Sequence, residues 1–323
     1  MPPEPITNGL SVDVEDWFQV GAFERVIDKA DWDTLIPRVE RNTDAVLALF
    51  AESGVKATFF TLGWVAQRYP ALIRRIVAGD HELASHGWDH QRVFTMTPHA
   101  FRADLARARG ALEDAGGIAV TGYRAPSFSI DARTPWAHTE LAEAGYRYSS
   151  SVAPLRHDHY GWPEAPRFAF RPLTDAALVE LPVTVAQFGS RRVATGGGFF
   201  RLLPAALTDF AVRQVNGAGQ PGVFYFHPWE IDPDQPRVAA APLRSKLRHY
   251  SRLGAMAGKL RGLVARHRWG RMDEVVWALP SNEGPPRRRP GPGCDEPDKG
   301  VPTSTTDTVA TGPRPSPGWE EAA

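Results

Sequence analysis

The chain has 323 residues, more than one typical domain of about 150 and within reach of a single barrel of about 250. Its 37 Lys and Arg balance 37 Asp and Glu, which excludes the broad positive field of a nucleic-acid binder or a polybasic membrane anchor. A single cysteine, Cys294, excludes an internal disulfide framework and a cysteine-built zinc cage.

The opening MPPEPITNGL has neither a basic stretch nor an apolar run, so no signal peptide is expected. No apolar run approaches the roughly 20 residues of a membrane span, and a soluble, cytoplasmic protein is expected. Short β-rich runs predict strands at 10–14, 57–62, 82–85, 120–123, 178–185, 223–226 and 274–279. Helical stripes lie between them. Val39, Thr43, Val46, Leu47 and Phe50 share one helix face, and Val65, Tyr69, Leu72, Ile73 and Ile76 repeat that spacing before a capping Gly79. Phe101, Leu105, Ala108 and Leu112 make a third stripe, ended by Gly116 and Gly117. Strand–helix alternation implies an α/β architecture with parallel strands, and more than five such units favour a barrel over an open sheet. From Ser281 to Ala323, 9 Pro and 6 Gly replace the apolar residues, so 281–323 reads as a disordered tail following a domain at 1–280. Cys294 reads there as an incidental thiol, and Arg287, Arg288 and Arg289, followed by Asp295, Glu296 and Asp298, as a solvated linker.

Reactive groups of α/β folds collect at the carboxyl ends of strands. The run 10–14 ends in Asp13-Val14-Glu15-Asp16, and the run 82–85 leads into His86-Gly87-Trp88-Asp89-His90. After 120–123 comes Arg124-Ala125-Pro126, and after 223–226 comes His227-Pro228-Trp229-Glu230. Two histidines at i and i+4 can share one side of a helical turn and suit a metal; a carboxylate from another strand end completes a site with open positions. A strand period of two puts Asp13 and Glu15 on one face and Asp16 on the other, which favours Glu15 as ligand with Asp13 beside it. Arg124, with the chain held extended by the Ala-Pro that follows, would keep a nearby carboxylate ionised. His227, ending an apolar strand, is either a core residue or a proton donor. Trp17, Phe18, Trp88 and Trp229 either line the site or pack in the core.

Five segments in this order, SVDVEDW (11–17), ATFFTLGWVA (57–66), HELASHGWDH (81–90), GYRAPSFS (122–129) and FYFHPWEID (224–232), resemble the NodB-type polysaccharide deacetylases of carbohydrate esterase family 4. A C-terminal extension at about 231–280, and GGGFFRLLP (196–204), read here as a flexible loop, are similar to those of exopolysaccharide-locus members. The resemblance implies a distorted (β/α) barrel of about seven parallel strands and a divalent metal, usually zinc. It implies N-deacetylation of an amino-sugar polysaccharide or its precursor in exopolysaccharide biosynthesis, with an N-acetylated carbohydrate as partner and no nucleic acid; a homo-oligomer is left open. Carried over, Asp13 matches the catalytic base, Arg124 the arginine that pairs with it, and His227 the general acid. His86 and His90 match the metal-binding histidines. For the third ligand an Asp-x-Asp subgroup supports Glu15, with Asp16 the alternative. One departure stands out: Ser149 follows Tyr148 where the family pattern has an aspartate, and Asp158 is a candidate stand-in. Two rivals remain, a cyclic-amide hydrolase of the allantoinase-like branch and a catalytically silent carbohydrate-binding relative; the second would have no use for a proton donor.

Overall fold

The computed structural model describes residues 5–157 and 160–279, so the tail, Cys294 and Asp158 lie outside the described residues. The strands are β1 (Asn8–Val14), β2 (Thr58–Thr61), β3 (Glu82–Ser85), β4 (Gly122–Tyr123) and β5 (Tyr148–Ser149), then β6 (Val179–Glu180), β7 (Val185–Phe188), β8 (Arg191–Ala194), β9 (Val223–Phe226) and β10 (Trp269–Gly270). Seven of them run parallel in the order β9-β1-β2-β3-β4-β5-β6, and β10 pairs with Asn8 and Gly9 at the start of β1. They form a half-barrel, in agreement with the expected distorted barrel of about seven parallel strands. β7 and β8 form a separate antiparallel hairpin.

The helices are α1 (Val39–Ser53), α2 (Gly63–Arg68), α3 (Pro70–Ala78), α4 (Pro98–Gly116) and α5 (Ala137–Glu143), then α6 (Gly197–Leu202), α7 (Ala205–Gly217), α8 (Leu243–Tyr250), α9 (Leu253–Arg266) and α10 (Met272–Trp277). Alternate strand residues serve opposite faces, as the pleat requires. Leu10, Val12, Val14, Phe59 and Leu83 pack with helix residues such as Phe50, Ile73 and Leu105. Phe60, Ala84, Tyr148 and Tyr225 form a second cluster on the other face of the sheet, with Phe128 and Leu181. Each such Val, Leu, Ile or Phe side chain contributes about 1.5–3 kcal/mol on full burial.

Five local expectations need correction. The run 178–185 is two strands, because Pro182 has no N–H for the ladder. Leu181 still donates to Ser149, but Thr184 N–H donates to Val223, carrying the chain across to β9 and bridging the open side of the barrel. The run 274–279 belongs to α10: Met272 and Val275 are buried at helical spacing, Trp277 is exposed, and Asp273 and Glu274 favour a helix N-terminus. The strand place beside β1 is taken by β10. The stripe from Val65 to Ile76 is broken at Tyr69 into α2 and α3, with Pro70 starting the second helix. The glycine-rich loop is α6, where Gly196 and Gly197 lie flat on the Tyr225 ring: a Cβ would come within 2.6 and 2.9 Å of it. Finally, His86 and His90 lie on no helix. The chain loops between them, with φ of +73° at Gly87 and +62° at His90.

Candidate active site and metal centre

Parallel register sets the level of the site. Thr61 pairs with Ser85, Ser85 with Tyr123, and Tyr123 with Ser149. The residue after each end continues the ladder: His86 N–H donates to Thr61, Arg124 N–H to Ser85 and Ser150 N–H to Tyr123, at 3.0, 2.9 and 2.9 Å. Strand ends that differ in sequence therefore deliver their polar residues to one layer.

Arg124 is fully buried, and its guanidinium is filled with acceptors. Nη1 donates to Asp13 Oδ1 and Ser11 Oγ, both at 2.7 Å; Nε donates to the Ser150 carbonyl at 3.0 Å and Nη2 to Ser150 Oγ at 2.9 Å. The Phe60 ring lies 4.1 Å from the guanidinium carbon. Ser11 and Asp13 share one strand face, as the period of two requires. Asp13 thus has one oxygen pinned and Oδ2 turned towards His227 Nε2, 4.0 Å away.

Glu15, His86 and His90 present ligand atoms within 4.8 Å of one another. His86 Nδ1 lies 2.8 Å from the Arg124 carbonyl, so that nitrogen carries the proton and Nε2 keeps its lone pair, the arrangement metal-binding histidines use. Burial lowers the His86 pKa to about 4, keeping the ring neutral. His90 Nε2 stands 2.9 Å from Glu15 Oε2 but out of line for a hydrogen bond, so this buried oxygen has no donor aligned on it. A buried carboxylate oxygen with no aligned donor, facing two imidazoles, fits a divalent cation. Trp229 Nε1 holds the other oxygen, Oε1, at 3.2 Å. Burial pushes the Glu15 pKa up, but charge on His90 and His227 outweighs it and brings it to about 2.

Asp16 does something else. Its Oδ2 accepts from Arg38 N–H at 2.7 Å and Val39 N–H at 3.0 Å, and its Oδ1 accepts from Trp17 N–H, so it caps the start of α1 from a distance in sequence. Burial raises its pKa to about 6.

His227 Nε2 faces Glu15 Oε1 at 3.6 Å, while Nδ1 lies 3.1 Å from Glu230 Oε2. Burial pushes the His227 pKa down, yet Glu15, Glu230 and Asp13 together raise it to about 9. All six residues singled out in the sequence are therefore brought together. Glu230 was not among them.

Residues 31–149 match the polysaccharide deacetylase family, and residues 150–277 match a domain of unknown function, DUF3473. Residues 31–149 are thus similar to polysaccharide deacetylases. A chitin deacetylase of Pestalotiopsis sp is 30% identical over 121 residues, 36% of this chain and 40% of that protein. Other matches are named peptidoglycan deacetylase and chitooligosaccharide deacetylase. The chain spans less than half the length of the first curated relatives it matches. Among solved structures, a candidate polysaccharide deacetylase from Mycobacterium smegmatis superposes with a TM-score of 0.53 at 20% identity, over 86% of this chain and 93% of the other. The Puue allantoinase gives 0.53 at 15% identity, over 86% and 91%. Both show the fold.

Ser149, where the family that the chain resembles has an aspartate, donates from Oγ to Ser151 Oγ at 2.7 Å, and the carboxylate beside His227 is that of Glu230. The aromatics at the strand ends are core residues. Trp17 and Phe18 pack edge to face, with Trp32 and Trp64 beyond Phe18; Trp88 lies under Arg107, and Trp229 stacks on His249 at 4.2 Å. Among the described residues, no helix is long and apolar enough to cross a membrane.

Proposed function

We propose that this protein is a metal-dependent N-deacetylase acting on an amino-sugar polysaccharide or its precursor in exopolysaccharide biosynthesis, with zinc as the ion. The observation that carries the reading is the meeting, at one level, of the Glu15–His86–His90 trio with an arginine-held Asp13 and with His227. An acetamide is a weak electrophile with a poor leaving group, and hydrolysis needs an activated water, carbonyl polarisation and an acid. A divalent cation held by Glu15, His86 and His90 supplies Lewis-acid polarisation of the carbonyl and acidifies water. Asp13, with Oδ1 fixed by Arg124, takes a proton from the attacking water at Oδ2. His227 gives its Nε2 proton to the nitrogen as the C–N bond breaks, leaving acetate and a free amine, a role worth roughly 10²–10⁴-fold. No covalent intermediate with the protein is required.

The test is metal content together with acetate release from N-acetylated oligosaccharides, with a cyclic amide as comparison substrate. Stoichiometric metal with acetate release supports the reading. Turnover of the cyclic amide alone moves the protein to the allantoinase-like branch, and metal without either activity leaves a binding protein.

A further inference from the structure

The acid histidine has a carboxylate from an unexpected source, and that carboxylate is built into the segment matched only as a domain of unknown function. Glu230 is fully buried, and its Oε2 accepts from both the backbone N–H and Nδ1 of His227, each at 3.1 Å. Its Oε1 accepts from Nε of Arg201 at 3.2 Å. Arg201 is itself buried, and its remaining donors meet the carbonyls of Arg248, His249 and Ser251, where α8 ends and its last carbonyls lack helical partners. Lys259 of α9 donates to the carbonyls of Phe200, Arg201 and Leu203, fixing the end of α6 that carries the arginine. The His227 ring also stacks on Trp229 at 5.3 Å and 21°, and Trp229 on His249 at 4.2 Å and 12°.

Two constraints therefore act on one imidazole. Stacking fixes the plane of the ring but permits it to turn over. The Glu230 contact to Nδ1 removes that freedom and leaves Nε2 facing Asp13 and Glu15, since the nitrogen not held by a partner is the one left for chemistry. We infer that Glu230, clamped by Arg201, is the positioning residue for His227, and that the segment from Arg201 to Ser251 completes the deacetylase site by delivering this pair. It does so where the family pattern would use an aspartate at Ser149. The kinetic part of this inference rests on His227 being the acid of the proposed reaction; the structural part does not.

The experiment follows the Nδ1–H of His227 by NMR on protein labelled with 15N at histidine, identified by its loss in His227→Gln. It is paired with turnover of an N-acetyl amide and of an activated aryl acetate. In wild type a downfield, slowly exchanging Nδ1–H signal is expected. In Glu230→Gln, which keeps volume but loses charge, that signal moves upfield. Amide turnover falls about ten-fold or more relative to ester turnover, with KM little changed, because only the amine must be protonated to leave. Arg201→Lys, a milder change that decides the matter if Glu230→Gln does not fold, shifts both readouts in the same direction by less. An unmoved signal, or equal losses on amide and ester, overturns the assignment. If the wild-type chain releases no acetate from any amide, the deacetylase reading fails while the NMR signal still decides whether Glu230 holds the ring.

Discussion

Each carboxylate in the cluster at the end of β1 has a different partner, and the partners dictate different outcomes on substitution. Under the proposed function Glu15→Gln and His86→Ala each remove a proposed ligand, so both should lose metal and turnover by elemental analysis and acetate assay. Asp16→Ala keeps the metal and instead loses about 1–2 kcal/mol of stability, because two N–H groups at the start of α1 lose their acceptor. Metal loss in Asp16→Asn with retention in Glu15→Gln would reverse the assignment. Asp13→Asn keeps the metal and loses at least roughly 10²-fold in rate; His227→Ala keeps it too, with a smaller loss on an activated ester than on an amide. At the opposite end of β3, His81 accepts the Ala57 N–H through Nδ1 at 3.2 Å. Burial, helped by the charges of Lys56 and Arg271, lowers its pKa from 6.5 to about 4. The unfolded chain then binds the proton first as pH falls, so stability is complete above about 6.5 and is lost progressively towards pH 4. His81→Asn, which keeps an acceptor without titrating, should reduce the slope of denaturation midpoints across that window, where His86 also contributes; an unchanged slope would show that His81 is not a titrating group there. Asp13, Glu15, His86, His90, Arg124 and His227 were legible because each closely follows an apolar run or falls at metal-ligand spacing. Glu230 was not: a carboxylate four residues past a strand reads as solvated until Arg201, 29 residues upstream, is seen against it.

Between elements, Arg124 ties β1 to the ends of β4 and β5 through Ser11, Asp13 and Ser150. Arg124→Leu leaves a buried Asp13 charge without its partner, a loss of about 3–5 kcal/mol. If the arginine matters mainly as that partner, adding Asp13→Asn should recover much of the loss in urea melts; additive losses would show that its other three contacts dominate. Packing between the same two strands is as tight. A Cβ on Gly122 would come within 2.3 Å of the Tyr148 ring, its register partner, so Gly122→Ala should cost about 1–3 kcal/mol by over-packing. Two-residue strands such as β4, β5, β6 and β10 are set by register with their neighbours, and a period of two needs four or more residues to show. The run 274–279 is continuously apolar after Glu274, a pattern with no period able to separate a strand from α10. The long elements β1, α1 and α4 were legible, and α4 ends at Gly117 in the left-handed conformation, φ +67°, as the paired glycines implied.

At the scale of the whole molecule, the family matches divide the chain at residue 149, but the sheet ignores that division. β9 pairs with β1 from Gly9 to Val12, and β10 pairs with Asn8 and Gly9, so the first strand of the chain has late strands for neighbours. Ser11 Oγ donates to the Phe224 carbonyl at 2.8 Å, and Met272 N–H donates to Thr58 Oγ1 at 2.7 Å, tying the same regions together across more than 200 residues. The chemistry is divided in the same way, with Asp13, Glu15, His86, His90 and Arg124 before the boundary and His227 after it. A chain ending at 149 would leave β1 an open edge with buried backbone groups unpaired, a cost that short side chains cannot offset. The described residues should therefore unfold as one cooperative unit. Calorimetric and van't Hoff enthalpies should agree, and tryptophan fluorescence and far-ultraviolet circular dichroism should give the same midpoint. Metal should raise that single midpoint, since it binds only the assembled trio. Two transitions, with metal shifting the one that belongs to residues before 149, would show that the first 149 residues fold on their own and that the later segment only docks onto them.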